Sequence, residues 1–423
     1  AEADGAPRIA SISLRVRDLD PLAVLRSIQE PDEPHLYLER SPVSVSGAEA
    51  VAQLSVGGED RFRQANAFVE TWSERIISTG DLDGWFSGPL FFHAFSFAAG
   101  SESSATVFIP KWQVCRTEME CVAVANVRIE SGTDLQSEAE RILRAHRTFS
   151  DLAYREPTKD SEIPVLPISR PENEDLFLER VSKALTSIER GEFEKIVLSR
   201  WTELTGEAPL RPLELLRDLR ERFPDCYAFS YSRGNRASWI GATPECLVRL
   251  TDSGYETEAI AGSAPRGVDL SEDTALGKEL LSSEKDLREH AVVVETIRAI
   301  LEGLGLEVVA GRHPHLMRLS NVQHLKTPLT GPRPGGMRLL QIAEALHPTP
   351  AVGGSPRSAT LKRIEEWEPY DRGLYTGFLG WEKPSGEGQS VVALRTGRIE
   401  GSTARLFAGA GIVAGSDPGK ELR

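Results

Sequence analysis

The sequence predicts an α/β chain of the α+β kind, built on a large antiparallel or mixed sheet with flanking helices. Three observations carry that expectation. Short runs of alternating apolar and polar residues crowd residues 9–60, ahead of any helical pattern. Helices are interspersed later without regular βαβ alternation. The last third returns to short strands separated by glycine-bearing turns.

In order along the chain, Ile9–Val16, Leu36–Arg40 and Val43–Val51 read as strands. Arg61–Thr79 has helical spacing, with Phe68, Trp72 and Ile76 on one face. Gly84, Gly88 and Gly100 bracket an aromatic-rich strand in GWFSGPLFFHAFSFA. Thr106–Pro110 and Cys121–Ile129 are two further strands, and Ser137–Thr148 is a helix. Residues 151–175 carry Pro157, Pro164, Pro167 and Pro171 among charges and read as a linker or sub-domain boundary. The expected division is therefore 1–170, an N-terminal part of the fold, and 171–423, the catalytic region of a single structural unit.

Val181, Leu185 and Ile188 form an amphipathic stripe that stops at Gly191, a residue suited to a left-handed cap. The apolar run Ile196-Val197-Leu198 follows as a buried strand. Beyond it come a helix at Leu213–Arg222, a strand at Tyr227–Tyr231, and a turn and strand in GATPECLVRL. Tyr255–Ala261 is a strand, and a long helix spans about Ser283 to Gly303. Helices at Met337–Leu346 and Ser358–Trp367 precede strands at Gly373–Trp381, Ser390–Thr396 and Ala404–Ala408.

A length of 423 residues suits two or three ordinary domains or one large α/β unit. The hydrophobic share of 40% and charged share of 26% are those of a soluble globular chain. A net charge of −14 argues against a general nucleic-acid binder and against an anionic membrane surface. Cys115, Cys121, Cys226 and Cys246 lack metal-site spacing and read as reduced core residues. The N-terminal residues lack a signal-peptide pattern, and no apolar run approaches the roughly 20 residues of a membrane span. A cytoplasmic protein is expected.

Lys195 enters the core strand directly from a helix stop. Desolvation there favours the neutral amine, which takes a proton from water. The plainer reading is a strand-end lysine whose head reaches solvent. Glu245 follows a turn in GATPE; burial would keep it protonated and suit it to general-acid work, whereas a wet strand end would leave it ionised. Asp286 and Glu289 are three apart and share a helix face near Glu284, so they can offer oxygens to a hard divalent cation or simply suit the helix dipole. His324 is a lone histidine, read equally as core. Arg395, following VVAL in a strand, needs an anionic partner: a substrate carboxylate or a structural acid. Gly262-Ser263, Gly353-Gly354-Ser355 and Gly409-Ala410-Gly411 let backbone N–H groups approach an oxyanion. None matches a nucleotide-binding fingerprint, so neither ATP nor NAD is expected.

Taken in order, FEKIVLSR, GATPECLVRL, AGSAPRG, SEKDLREH, SNVQHL, LHPTPAVGGSP, PYDRGLYTGFLGW and FAGAGIV resemble the chorismate-utilising enzymes, and the isochorismate synthases most closely. The resemblance covers about residues 175–423 and is loose before that, in the GPLFFHAFSF region. It implies that family's sandwich of twisted sheets with flanking helices. It also implies a Mg²⁺-dependent isomerisation of chorismate to isochorismate, for menaquinone or siderophore synthesis. By the same resemblance, Lys195 is the base that activates water and Glu245 the acid that protonates the departing hydroxyl. Glu289 resembles a direct Mg²⁺ ligand, Asp286 and Glu421 are further candidates, and Arg395 clamps the enolpyruvyl carboxylate. Gly262, Ser263 and Gly409 resemble backbone contacts to substrate, and His324 and Tyr375 line the same pocket. The family's second carboxylate ligand is expected just past Arg423, which leaves Glu421 to act through water. A lysine at position 195 sets the chain apart from the ammonia-using synthases, so no glutaminase subunit is expected. A monomer or weak dimer is expected. Salicylate synthase and a catalytically silent chorismate-binding protein remain as alternatives.

Overall fold

Arg8–Val16 alternates buried and less buried positions almost residue by residue, as a strand with one face on a core must. The same rule shapes most of the computed structural model, which describes residues 5–100, 104–151, 168–172 and 174–422. Among the described residues there are twenty-one strands and ten helices. The strands join in one hydrogen-bonded network.

The long strand Ala105–Arg116 is the branch point. One edge pairs along its length with Val43–Val56. The other is divided between Phe91–Phe95 and Cys121–Ile129. From Val43–Val56 a first arm runs through Pro34–Arg40, Tyr227–Arg233, Ala237–Thr243, Thr396–Glu400, Thr403–Val413 and Lys195–Thr205, antiparallel throughout. From Phe91–Phe95 a second arm runs through Phe378–Glu382, Gly388–Val392, Cys246–Leu250, Tyr255–Pro265 and Val322–Gly331, also antiparallel. Strands on either side of residue 170 thus pair directly. Leu38, Val45 and Phe229 of the first arm pack against Phe92, Leu379 and Val391 of the second, so the arms form a sandwich.

Helices cover the outer faces. Arg61–Ser73, Glu284–Gly303 and Leu339–Leu346 share one core with the second arm. Pro21–Ile28 and Pro212–Arg222 lie on the first. Glu174–Glu189 and Arg357–Trp367 close over Ile196, Leu198 and Ile412. Each such fully buried aliphatic side chain contributes about 1.5–3 kcal/mol over an exposed one. This layer holds the Lys195 strand in place. All four cysteines are free and buried, as expected. No helix among the described residues is long and apolar enough to cross a membrane.

Several boundaries differ from the sequence reading. The helix expected over Arg61–Thr79 ends at Ser73, and Ile76–Gly80 is a strand paired in parallel with Arg8–Val16. The β-branched pair Ile76-Ile77 and that edge outweigh the helical spacing. The strand expected at Gly373–Trp381 begins only at Phe378, because Gly373 and Thr376 take positive φ. The strand expected at Ser390–Thr396 is broken: Gly388–Val392 ends, Arg395 turns with φ 49°, and Thr396–Glu400 begins. Leu270–Ser282, capped by Asp269, is a helix without a sequence counterpart above. Of the expected linker, residues 152–167 and 173 lie outside the described residues, and Ile168–Pro171 is a short strand beside Lys195–Thr205.

Candidate active site

Gly191 takes φ 73° and ends the helix before the Lys195 strand, as its position suggests. Lys195 then opens the strand between two neighbours, opposite Val413 on one side and Ser355 on the other. It is 3% exposed, so it does not reach solvent. Its Nζ donates to Glu289 Oε1 at 2.7 Å. Two residues that the sequence assigned to separate tasks are therefore in direct contact.

The partner strand explains how that contact fits. Opposite Val197 and Ser199 stand Gly411 and Gly409. Residues directly opposite share a face, so the sheet is bare beside Lys195. A Cβ at Gly411 would lie 3.1 Å from Lys195 Cε and 3.2 Å from Glu289 Oε1. A Cβ at Gly409 would lie 2.7 Å from the Tyr375 hydroxyl oxygen. Tyr375 is buried and stacks on Phe407 at 5.2 Å, and burial pushes its hydroxyl up to about 12. Gly409→Ala is expected to overpack this point and cost about 1–3 kcal/mol. A denaturant titration measures it; an unchanged midpoint would show that Tyr375 moves aside freely.

Glu245 is 4% exposed, between Ala237–Thr243 and Cys246–Leu250. Its backbone N–H donates to Thr243 Oγ1 and its carbonyl accepts from Val392 N–H. Burial pushes its carboxyl up to about 8, and the nearby Glu258 charge adds to the rise. The Lys195 charge and the Thr349 hydroxyl oppose it. Glu258 is itself buried, accepting from Cys246 N–H at 2.8 Å and paired with Lys326. Lys195 and Glu245 thus lie inside the protein and within electrostatic reach of each other, one offering an amine and the other a proton.

Gly262 sits where the pairing of Tyr255–Pro265 with Val322–Gly331 slips, and takes φ 78°. Any Cβ there would press on Asp286 and Leu325. Ser263 Oγ and His324 Nδ1 are 2.8 Å apart, and His324 Nε2 is 3.4 Å from an Arg395 nitrogen. Burial, with the Arg395 charge, lowers His324 to about 4 and keeps it neutral. Arg395 also donates to Cys226 Sγ. It is carried by a left-handed turn, not by a strand as expected, and its carbonyl accepts from Ala242 N–H. Ser263, His324 and Arg395 are thereby one connected set.

The expected metal ligands do not gather into one cage. Asp286 caps its own helix start through Ser283, whose hydroxyl donates to the carboxylate. Glu421 lies at the end of the short helix Pro418–Glu421, 3.8 Å from Lys285. Among the described residues, no group of three or more His, Cys, Asp or Glu could hold a metal. The donors that remain, half-buried Glu289 and Glu421, are hard oxygens reached from one helix start. They fit a Mg²⁺ held by one or two carboxylates with water and substrate oxygens completing the shell.

Two residues in PYDRGLY and just before it were not singled out from the sequence. Glu368 and Arg372 form a buried ion pair at 2.7 Å. Glu368 accepts from Ser199 N–H and Oγ, and Arg372 donates to the Val197 carbonyl. They satisfy the free edge of the Lys195 strand where no neighbouring strand does. Their local spacing carries no signal, because the helix ends at Trp367 and the pair forms across the bend at Pro369 and Tyr370.

Fold and site together define an enzyme with a buried amine and a buried, protonated carboxyl placed for acid–base work, and the family follows. The family model described as chorismate binding enzyme matches residues 1–423, and the chain belongs to that family. It is 33% identical to the salicylate biosynthesis isochorismate synthase of Pseudomonas aeruginosa, over 100% of this chain and 89% of that protein. It is 31% identical to isochorismate synthase MenF of Bacillus subtilis, over 97% of this chain and 89% of that one. The fold matches that of MenF, the menaquinone-specific isochorismate synthase from Escherichia coli, with a TM-score of 0.80. That likeness covers 99% of this chain and 91% of the other at 24% identity.

Proposed function

We propose that this protein is a Mg²⁺-dependent isochorismate synthase, forming isochorismate from chorismate for menaquinone or siderophore synthesis. The observation that carries the reading is the buried Lys195 and Glu245 acting on one another, with Glu245 held protonated near neutral pH. The names of its relatives support it.

Water attacks C2 of the ring, and Lys195 takes the proton that water gives up. The double bonds shift, and the C4 hydroxyl leaves with the proton from Glu245. One water enters and one leaves, so the step is an isomerisation. Arg395, set by His324, grips the enolpyruvyl carboxylate, and guanidinium–carboxylate pairing fixes its orientation. Gly262, Ser263 and Gly409 present backbone to the substrate, and Tyr375 walls the pocket. Glu289 and Glu421 would hold Mg²⁺, which when bound neutralises the ring carboxylate. Lysine accepts a proton only as the neutral amine. The ion pair with Glu289 must therefore be given up before Lys195 takes the proton from water, and a Mg²⁺ held by Glu289 would draw the carboxylate away from the amine. The reduced cysteines and the composition favour a cytoplasmic setting.

Incubation with chorismate and Mg²⁺, followed by chromatography, tests the reading. Isochorismate is the expected product. Abundant salicylate with pyruvate would make this a salicylate synthase instead. Binding without turnover would make it a silent chorismate-binding protein. Glu289→Gln is expected to weaken Mg²⁺ binding measured by calorimetry and to raise the Mg²⁺ concentration needed for turnover. Wild-type metal affinity in that variant would remove Glu289 from the ligand set.

A further inference from the structure

An apolar knob projects from the turn between Tyr255–Pro265 and Leu270–Ser282. Val268 is the most exposed large apolar side chain among the described residues, at 95%, and Leu270 is 83% exposed. The turn that carries them is pinned on both sides. Arg266 donates to both carboxylate oxygens of Asp273 and to the Leu319 carbonyl. The Val268 N–H donates to the Glu272 carboxylate at 2.7 Å, and Asp269 caps the helix by accepting from Glu272 N–H. Two aliphatic side chains are thus held out into water in a fixed arrangement, which lowers the ordering cost of any contact they make.

A hole of the same chemistry lies beside it. Between the helix Pro212–Arg222 and the strands Thr396–Glu400 and Thr403–Val413 is a cavity of about 470 Å³. Leu204, Leu215, Leu219, Ile399 and Leu406 line it, and Leu406, in mid-strand, is 42% exposed. The helix commits Leu213 and Leu216 to the core around Tyr37 and leaves Leu215 and Leu219 to cover this one, so the groove stays open. Knob and groove adjoin through one turn. The Ser320 hydroxyl donates to the carbonyl of Arg222, on the rim of the groove, and the Arg266 N–H donates to the Asn321 carbonyl. The charges around the two features are opposite. Asp269 and Glu272, flanking the knob, are exposed and form no ion pair among the described residues. Arg222 is exposed and forms none either, whereas Asp218 on the same rim is already held by Arg217 at 2.9 Å. Val268 does not enter the groove of its own chain, since it is left almost wholly in water. An apolar knob with acidic flanks and an apolar groove with a basic rim fit one another between two copies.

We propose that this face is the contact between two copies of the chain, with Val268 and Leu270 of each seated in the Leu215–Leu219–Leu406 groove of the other. A twofold axis makes the contact twice and closes the assembly as a dimer. Both contacts together are small beside a permanent interface, so the dimer dissociates on dilution. The proposal goes beyond the isochorismate synthase reading and does not depend on it. Sedimentation velocity of the whole protein over a wide dilution series tests it. The wild type is expected to show a monomer–dimer equilibrium. Val268→Glu and Leu406→Lys each put a charge into the apolar contact and are expected to weaken the dimer at least about tenfold. Both side chains are exposed, so each variant should melt as the wild type does by circular dichroism. Mixing the two variants in equal amounts is expected to restore dimers, because one of the two contacts is then native and the other brings opposite charges together. The proposal is overturned if the wild type stays monomeric throughout, which would leave the groove to another occupant, or if it forms open-ended polymers. It is equally overturned if either variant dimerises as the wild type does, or if the mixture stays monomeric.

Discussion

Lys195→Ala is expected to lower chorismate turnover by about 10²–10⁴-fold, the usual contribution of a positioned proton acceptor. The strand should survive the change, because Ile196 and Leu198 point to the other face, into the helical layer. Glu289 loses its cation but keeps some contact with solvent, with a side chain 14% exposed. The melting transition should therefore remain cooperative. Product formation is followed by chromatography beside a circular-dichroism melt. Turnover within a few-fold of wild type would take Lys195 out of the chemistry; a lost melt would mean the strand depends on the pair.

The second large effect is a pH dependence set by Glu245. A general acid works only while protonated, so turnover is expected to fall as pH rises through about 8. The sign for stability is the same. The carboxyl is raised from 4.5 to about 8, so between those values the native state holds a proton that the unfolded chain has released. Stability therefore declines with rising pH across that window. Glu258→Gln removes the neighbouring charge that helps raise Glu245. It also strands the positive Lys326, which acts in the same direction. The alkaline limb of the rate profile should then move to lower pH. Glu245→Gln should lose the limb altogether along with about 10²–10⁴-fold in rate. A limb that stays put in Glu258→Gln would mean another group reports there.

Strands such as Cys121–Ile129 were legible to the residue, because a short, mostly apolar run after a turn suits a strand buried on both faces. So was the glycine stop before Lys195, since only a left-handed turn lets the helix end there. Ile76 was misplaced because helical spacing and β-branched propensity compete locally, and a neighbouring strand decided between them. Arg395 was placed in a strand because VVAL runs up to it. Its left-handed turn is imposed by contacts with Ala242, Cys226 and His324, which are remote in sequence.

The sequence by itself determined the antiparallel sheet with its helices, the list of reactive residues and the resemblance that orders them, because burial period and residue type are local properties. Only the tertiary structure decided that Lys195 meets Glu289, that Glu258 raises Glu245, and that Glu368 and Arg372 take a free strand edge. Those outcomes depend on charges brought together across tens to hundreds of residues, and the strength of each is set by the low dielectric of an interior that exists only once the two arms have closed.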